Sequence, residues 1–210
     1  FRLNSKQAFY FRTARGFRAP QTTELYRLQS GQLNAFIDSE NITRIELGWR
    51  GRNLGGFSFD TVLFKMNKED VVFQDTNRFN IFGAKTSHYG LEASVRASFD
   101  NGFYFRSAIT AARHRYDGSI ELFGAKKDID GNDIDTSPRF FGSLQIGWNS
   151  FTDKGLALFE GEVITLDKYY LDPDNLHRYQ GHTLVNINNK WTVGPNLSLW
   201  LRVKNLLDKS

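Results

Sequence analysis

Between Tyr89 and Phe99 the chain alternates strictly. Tyr89, Leu91, Ala93, Val95, Ala97 and Phe99 fall on one side, and Gly90, Glu92, Ser94, Arg96 and Ser98 on the other. A period of two is the mark of a strand. After Asp100-Asn101-Gly102 the alternation resumes, with Phe103, Phe105, Ile109 and Ala111 against Arg106 and Thr110. The Asn-Gly pair predicts a tight hairpin turn, because both residues tolerate positive φ. The stretch from His88 to Tyr116 therefore reads as a β-hairpin whose strands are longer than the usual globular strand. Charges sit well inside one face, while the other face of the first strand carries none.

The same pattern recurs along the chain. Gln7–Phe17 sets Phe9, Phe11 and Thr13 against Tyr10, Arg12 and Ala14. Asn41–Arg50 sets Thr43, Ile45, Leu47 and Trp49 against Arg44, Glu46, Gly48 and Arg50. Phe57 to Phe73 is a strand with a blurred pattern, since Val62 and Phe64 share a face with Ser58 and Asp60. Further strands are predicted over Phe140–Asn149, Gly155–Asp167, Gly181–Thr192 and Asn196–Leu206, which makes roughly nine in an all-β antiparallel meander.

The connections alternate in length. Those at Arg18–Glu40, Thr76–Gly83, Asp117–Ser137 and Lys168–Gln180 are long, and those at Gly51–Gly56, Asp100–Gly102, Ser150–Lys154 and Val193–Pro195 are short. Aromatics gather beside the short turns: Trp49 and Phe57, Phe99 and Phe103, Trp148 and Phe151, and Trp191. Two unequal rims, one aromatic girdle and a charge-free face opposite a charged one predict part of a large transmembrane β-barrel, with lipid against the apolar face. A soluble sandwich does not need a charge-free outer face of that length.

Composition narrows the classes further. Of the 210 residues, 40% are hydrophobic and 15% aromatic, with 19 Phe. The mean hydropathy of −0.46 excludes a helical membrane protein but not a barrel, whose alternating strands dilute the average. With no Cys there is no disulfide framework or thiolate metal site. A net charge of +4 without a basic run argues against nucleic acid as a partner. The chain begins at Phe1 with no initiator Met or signal peptide, so a mature fragment is expected.

Several segments resemble, in the same order, those of TonB-dependent outer-membrane receptors: RGFRAPQTTELYRLQSGQ from Arg15, SENITRIELGWRG from Ser39, FSFDTVLFKMNKEDVVFQDT from Phe57, KTSHYGLEASV from Lys85, and LRVKNLLDKS from Leu201. Ser39-Glu40 departs from the Pro-Glu pair that the family often carries there. The resemblance implies a barrel of about 22 strands around an N-terminal plug. It also implies that residues 1–210 are the C-terminal part of that barrel, with the plug, the TonB-engaging segment and the remaining strands lying elsewhere. Uptake of a scarce nutrient such as a ferric siderophore, energised through the TonB complex, follows as the implied function, with no enzymatic activity and no cofactor.

A small-molecule ligand would meet the long loops and the upper lumen wall. The candidates are Tyr26, Arg27, Arg78, His88, Arg113, His114, Arg115, Tyr169, Tyr170, His177, Arg178 and Tyr179. Arginine and aromatic side chains suit an anionic or ring ligand through charge-assisted bonds and cation–π contact. The plainer reading of each is an Arg paired with a neighbour such as Glu92 or Glu46, or a Tyr in an outer girdle. No metal site is expected, since His114 and His177 lack ligand spacing. Asp128-Ile129-Asp130-Gly131-Asn132-Asp133-Ile134-Asp135 departs from a calcium loop, with Gly at the fourth position and Arg139 where a bidentate Glu belongs. A solvated acidic turn is the better reading.

No G-x-S-x-G, Walker A or G-x-G-x-x-G motif occurs, which leaves hydrolase and nucleotide chemistry without support. A porin-type channel and a soluble β-rich binding module stay open beside the receptor. A plug encoded upstream discriminates the first, and purification without detergent the second.

Overall fold

The computed structural model describes residues 2–26, 37–74, 80–118, 120–122, 125–152, 155–194 and 196–209. Its strands are β1 (Arg2–Asn4), β2 (Gln7–Arg18), β3 (Glu40–Leu54), β4 (Phe57–Gln74), β5 (Asn80–Ser98), β6 (Phe103–Tyr116), β7 (Ile120–Leu122), β8 (Ala125–Lys127), β9 (Phe140–Thr152), β10 (Gly155–Leu166), β11 (Tyr169–Tyr170), β12 (Arg178–Tyr179), β13 (His182–Val193) and β14 (Leu197–Val203), with one short helix, α1 (Thr22–Tyr26). Ten strands form one sheet in the order β1-β2-β3-β4-β5-β6-β9-β10-β13-β14. Every step is antiparallel between neighbours, as in a meander, and the sheet does not close on itself.

The nine long strands are those the alternation predicts, and β1 is a three-residue addition before the first of them. Other differences lie at the long connections. The segment after Arg18 contains α1, which hydrophobic periodicity cannot reveal in five residues. Glu24 holds it: its carboxylate accepts from the Gln21 N–H at 2.6 Å and from Arg18 Nη1 at 3.0 Å. β5 starts at Asn80, so the connection expected to run to Gly83 ends earlier. Small hairpins, β7–β8 and β11–β12, stand within the two polar connections expected to be plain loops.

The turn after β5 also differs from the Asn-Gly expectation. Only Gly102 takes positive φ, +85°, and Asn101 does not. The Gly102 N–H donates to Phe99 O at 3.0 Å, and Phe99 N–H to Phe103 O at 2.8 Å, which makes a three-residue loop closed by a left-handed glycine. A side chain at Gly102 would also strike Asn149 O, 2.0 Å from an added Cβ. The two-residue turn with both φ positive occurs instead at Gly55-Gly56, where Leu54 pairs with Phe57.

Register decides what each face carries. One row across the sheet reads Phe11, Leu47, Leu63, Leu91, Ala111 and Phe140, and another Phe59, Val95, Ser107, Leu144, Val163 and Val185. The large apolar side chains of the first row are uncovered: Phe11 is 68% exposed, Leu47 53% and Leu63 54%. So large a continuous apolar surface is found in soluble monomers only at interaction sites, and a hydrocarbon environment satisfies it. Along its short-turn side runs a chain of ring contacts, Phe9–Trp49 at 5.6 Å, Trp49–Phe59 at 4.5 Å, Phe103–Trp148 at 6.2 Å, Trp148–Phe159 at 6.0 Å and Phe159–Trp191 at 5.9 Å. That is the predicted girdle; the Phe151 side chain lies outside the described residues.

Candidate functional site

The opposite face is polar and cross-linked. Glu160 accepts from Tyr104 Oη at 2.7 Å and from Asn188 Nδ2 at 3.1 Å, while Glu162 accepts from Gln145 Nε2 and Asn186 Nδ2, both at 2.8 Å. Asp60 binds Arg50 at 2.6 Å. Arg44 stands over the Phe64 ring at 4.6 Å and within 3.6 Å of Glu92. Its Nε is 2.5 Å from Glu46 Oε1 but lacks a hydrogen-bonding angle, so this is a charge contact. The blurred pattern of β4 has its cause here, since Phe64 lies inside as the platform for Arg44.

Between these networks lies an open cavity of about 700 Å³, lined by Val62, Phe141, Ile164 and Leu166 with Glu92 and Glu162 at its edges. His182 borders it, and its Nδ1 is 2.6 Å from the Tyr179 hydroxyl. Neither the apolar lining nor His182 was among the sequence candidates. The signal that could have found them is parity: Phe141, Ile164, Leu166 and His182 are apolar or aromatic residues standing in the phase of Ser143, Glu162 and Asn186.

The long-loop end is built by two docked connections. Asn132 Nδ2 donates to Pro173 O at 2.9 Å, Asp133 N–H to Asn175 Oδ1 at 2.9 Å, Asn175 Nδ2 to Asp133 O at 2.8 Å, and Thr136 N–H to Tyr170 O at 2.8 Å. Asp172 organises the second connection by accepting from Leu176 N–H at 3.0 Å and His177 N–H at 2.7 Å. Burial pushes its carboxyl up, but these two donors and the His177 ring outweigh that and hold it below the ordinary value. In the acidic turn, Asp133 pairs with Arg139 at 2.6 Å and Asp135 accepts from the Tyr116 hydroxyl at 2.7 Å. The carboxylates there are committed to protein donors.

The structure sorts the sequence candidates into groups. His88 and His114 meet on the polar face, Nδ1 to Nδ1 at 2.8 Å. Tyr169 and Tyr179 pair at 5.1 Å between ring centroids, with Arg178 opposite Tyr170 on the same small hairpin. His177 sits in the Asp172 turn, its Nδ1 3.1 Å from the carboxylate, and Tyr26 is exposed at the end of α1. Arg113 and Arg115 are not brought to the histidines: register sets them opposite Tyr89 and Ser87, on the other face. Arg27 and Arg78 lie outside the described residues.

A ten-stranded antiparallel meander with a ring-edged apolar face and a charged, hydrogen-bonded face is a section of a membrane β-barrel wall, the polar face being its lumen. Residues 1–206 match the family model for the TonB dependent receptor-like β-barrel, and the chain belongs to that family of receptors. The fold resembles that of the ferric yersiniabactin uptake receptor FyuA from Yersinia pestis, at 18% identity over 99% of this chain and 31% of that one, with a TM-score of 0.79. It is also similar to the siderophore receptor PiuA from Acinetobacter baumannii, at 16% identity over 100% of this chain and 31% of that one, TM-score 0.79. The ferric citrate transporter FecA in its unliganded form matches at 20% identity over 100% of this chain and 32% of that one, TM-score 0.78. The chain thus spans about a third of the length of each. No curated protein sequence matches it.

Proposed function

We propose that this chain forms part of the wall of a bacterial outer-membrane receptor that imports a scarce nutrient, a ferric siderophore or similar iron complex, with energy passed through TonB. The observation that carries this reading is the family match over residues 1–206 on a sheet whose two faces suit lipid and lumen. The iron complex is supported by the names of the three structural neighbours given above, which are ferric or siderophore receptors. In this reading residues 1–210 are the C-terminal part of the barrel, and the plug and the TonB-engaging segment belong to the rest of the protein. The exposed loop side chains Tyr26, His177 and Arg178 then offer the first contacts to an anionic or aromatic ligand.

Uptake of radiolabelled iron presented as siderophore complexes, in cells with and without the gene, tests the proposal. The expected result is iron uptake that disappears with the receptor and equally when TonB is deleted. Passage of small solutes that persists without TonB would replace the receptor with a porin.

A further inference from the structure

Independently of the iron-complex reading, we propose that His88 and His114, with Met66, form a binding site for a single copper ion on the lumen wall. The three residues come from different strands and stand in one row on the polar face: Met66 opposite His88, and His88 opposite His114. They are far apart in the chain, and only the pairing of β4, β5 and β6 assembles them. Each neighbouring pair has Cβ atoms about 4.5–5.5 Å apart, and with His88 between them Met66 and His114 extend toward it from either side.

The donor set selects the metal. The two Nδ1 atoms converge at 2.8 Å. That separation is the hydrogen bond of the metal-free pair; the donors choose the ion, since copper binds N and S donors more strongly than either nickel or zinc. Met66 adds a thioether, a ligand for copper in either oxidation state and a common weak axial donor.

The second ring nitrogen of His88 is already held. Its Nε2 is 2.9 Å from Thr86 Oγ1, and a hydroxyl can donate or accept. In the metal-free pair one Nδ1–H donates to the other Nδ1. When copper enters, that ring moves its proton from Nδ1 to Nε2, both Nδ1 lone pairs turn to the ion, and no net proton is released. Thr86 serves either tautomer of His88 and so acts as a positioning residue. Arg44, opposite Met66 in the same row, is offset by Glu46 and Glu92, and Lys68 in the adjoining row by Glu40 at 3.0 Å, which also binds Arg18 at 3.1 Å.

Titration of the intact detergent-solubilised protein with Cu(II) chloride, followed by electron paramagnetic resonance, tests the site. The expected spectrum is tetragonal, with hyperfine splitting from two nitrogens, and His88→Ala and His114→Ala each lose one bound equivalent. Met66→Leu retains the Cu(II) signal but releases the ion at least tenfold more readily on reduction. Thr86→Val weakens Cu(II) binding about 10–100-fold. A wild-type protein without the two-nitrogen signal, or one whose stoichiometry and spectrum His114→Ala leaves unchanged, overturns the proposal; the wild-type measurement decides even where a variant fails to fold.

Discussion

The ring of Tyr104 lies over Gly147, its cross-strand partner on β9, where an added Cβ would come within 2.3 Å of the ring's Cζ. The missing side chain is what lets the Tyr104 hydroxyl reach Glu160, 2.7 Å away on the next strand. Gly48 stands in the same relation to Tyr10, so the arrangement occurs twice on the polar face. Gly147→Ala should displace the ring, break its bond to Glu160 and cost about 1–3 kcal/mol. The same substitution in a Tyr104→Ala background should cost little, which thermal or denaturant unfolding of the four proteins of the cycle would show. Additive costs would mean the ring does not need the gap.

Val95 sits about midway along β5 between Tyr89 and the turn, on the apolar face, with Ser94 beside it on the polar face. Val95→Arg should lower stability in a bilayer by about 2–4 kcal/mol, the cost of a cation near the hydrocarbon midplane. Ser94→Arg should be far milder. Equal unfolding midpoints for Val95→Arg and the wild type would show that this face does not meet lipid.

Arg96 stands directly opposite Arg106 on the lumen face, and among the described residues neither makes an ion pair. Like charges in that position repel. Arg96→Glu should therefore stabilise the hairpin by about 0.2–1 kcal/mol at low salt, a gain that shrinks as added salt screens it. Unfolding midpoints measured at low and high ionic strength check both parts, and a loss of stability would reveal an acidic partner for Arg96 elsewhere in the protein.

Acid should loosen the loop turn at Asp172. Its folded carboxyl titrates below the ordinary value of 3.8, so the turn's contribution is complete above that value and fades as pH falls through the lower folded pKa. Hydrogen exchange at the Leu176 and His177 amides, corrected for intrinsic rates, should stay protected at pH 5 and lose protection only at strongly acidic pH. Asp172→Asn should weaken that protection at neutral pH.

Much of this was legible in the residues themselves. Alternation located every long strand, because a strand between lipid and a polar lumen must change character at each residue. The short turns and their rings followed from the same logic, since Trp49, Trp148 and Trp191 recur at a fixed distance from them. The turn at Asn101 was misread because Asn-Gly suits two kinds of hairpin loop, and the closing hydrogen bonds of Phe99 choose between them.

The two-faced meander is written in the residues alone, since hydrophobic period is a local property that each strand carries. Which residues meet across strands is a matter of register, which no single strand contains. Register turned Arg113 and Arg115 away from His114, brought His88 to His114 and Met66, and set Tyr104 over Gly147. It also joined the distant connections at Asp133 and Asn175, because backbone groups that leave the sheet still need partners and found them in the neighbouring loop.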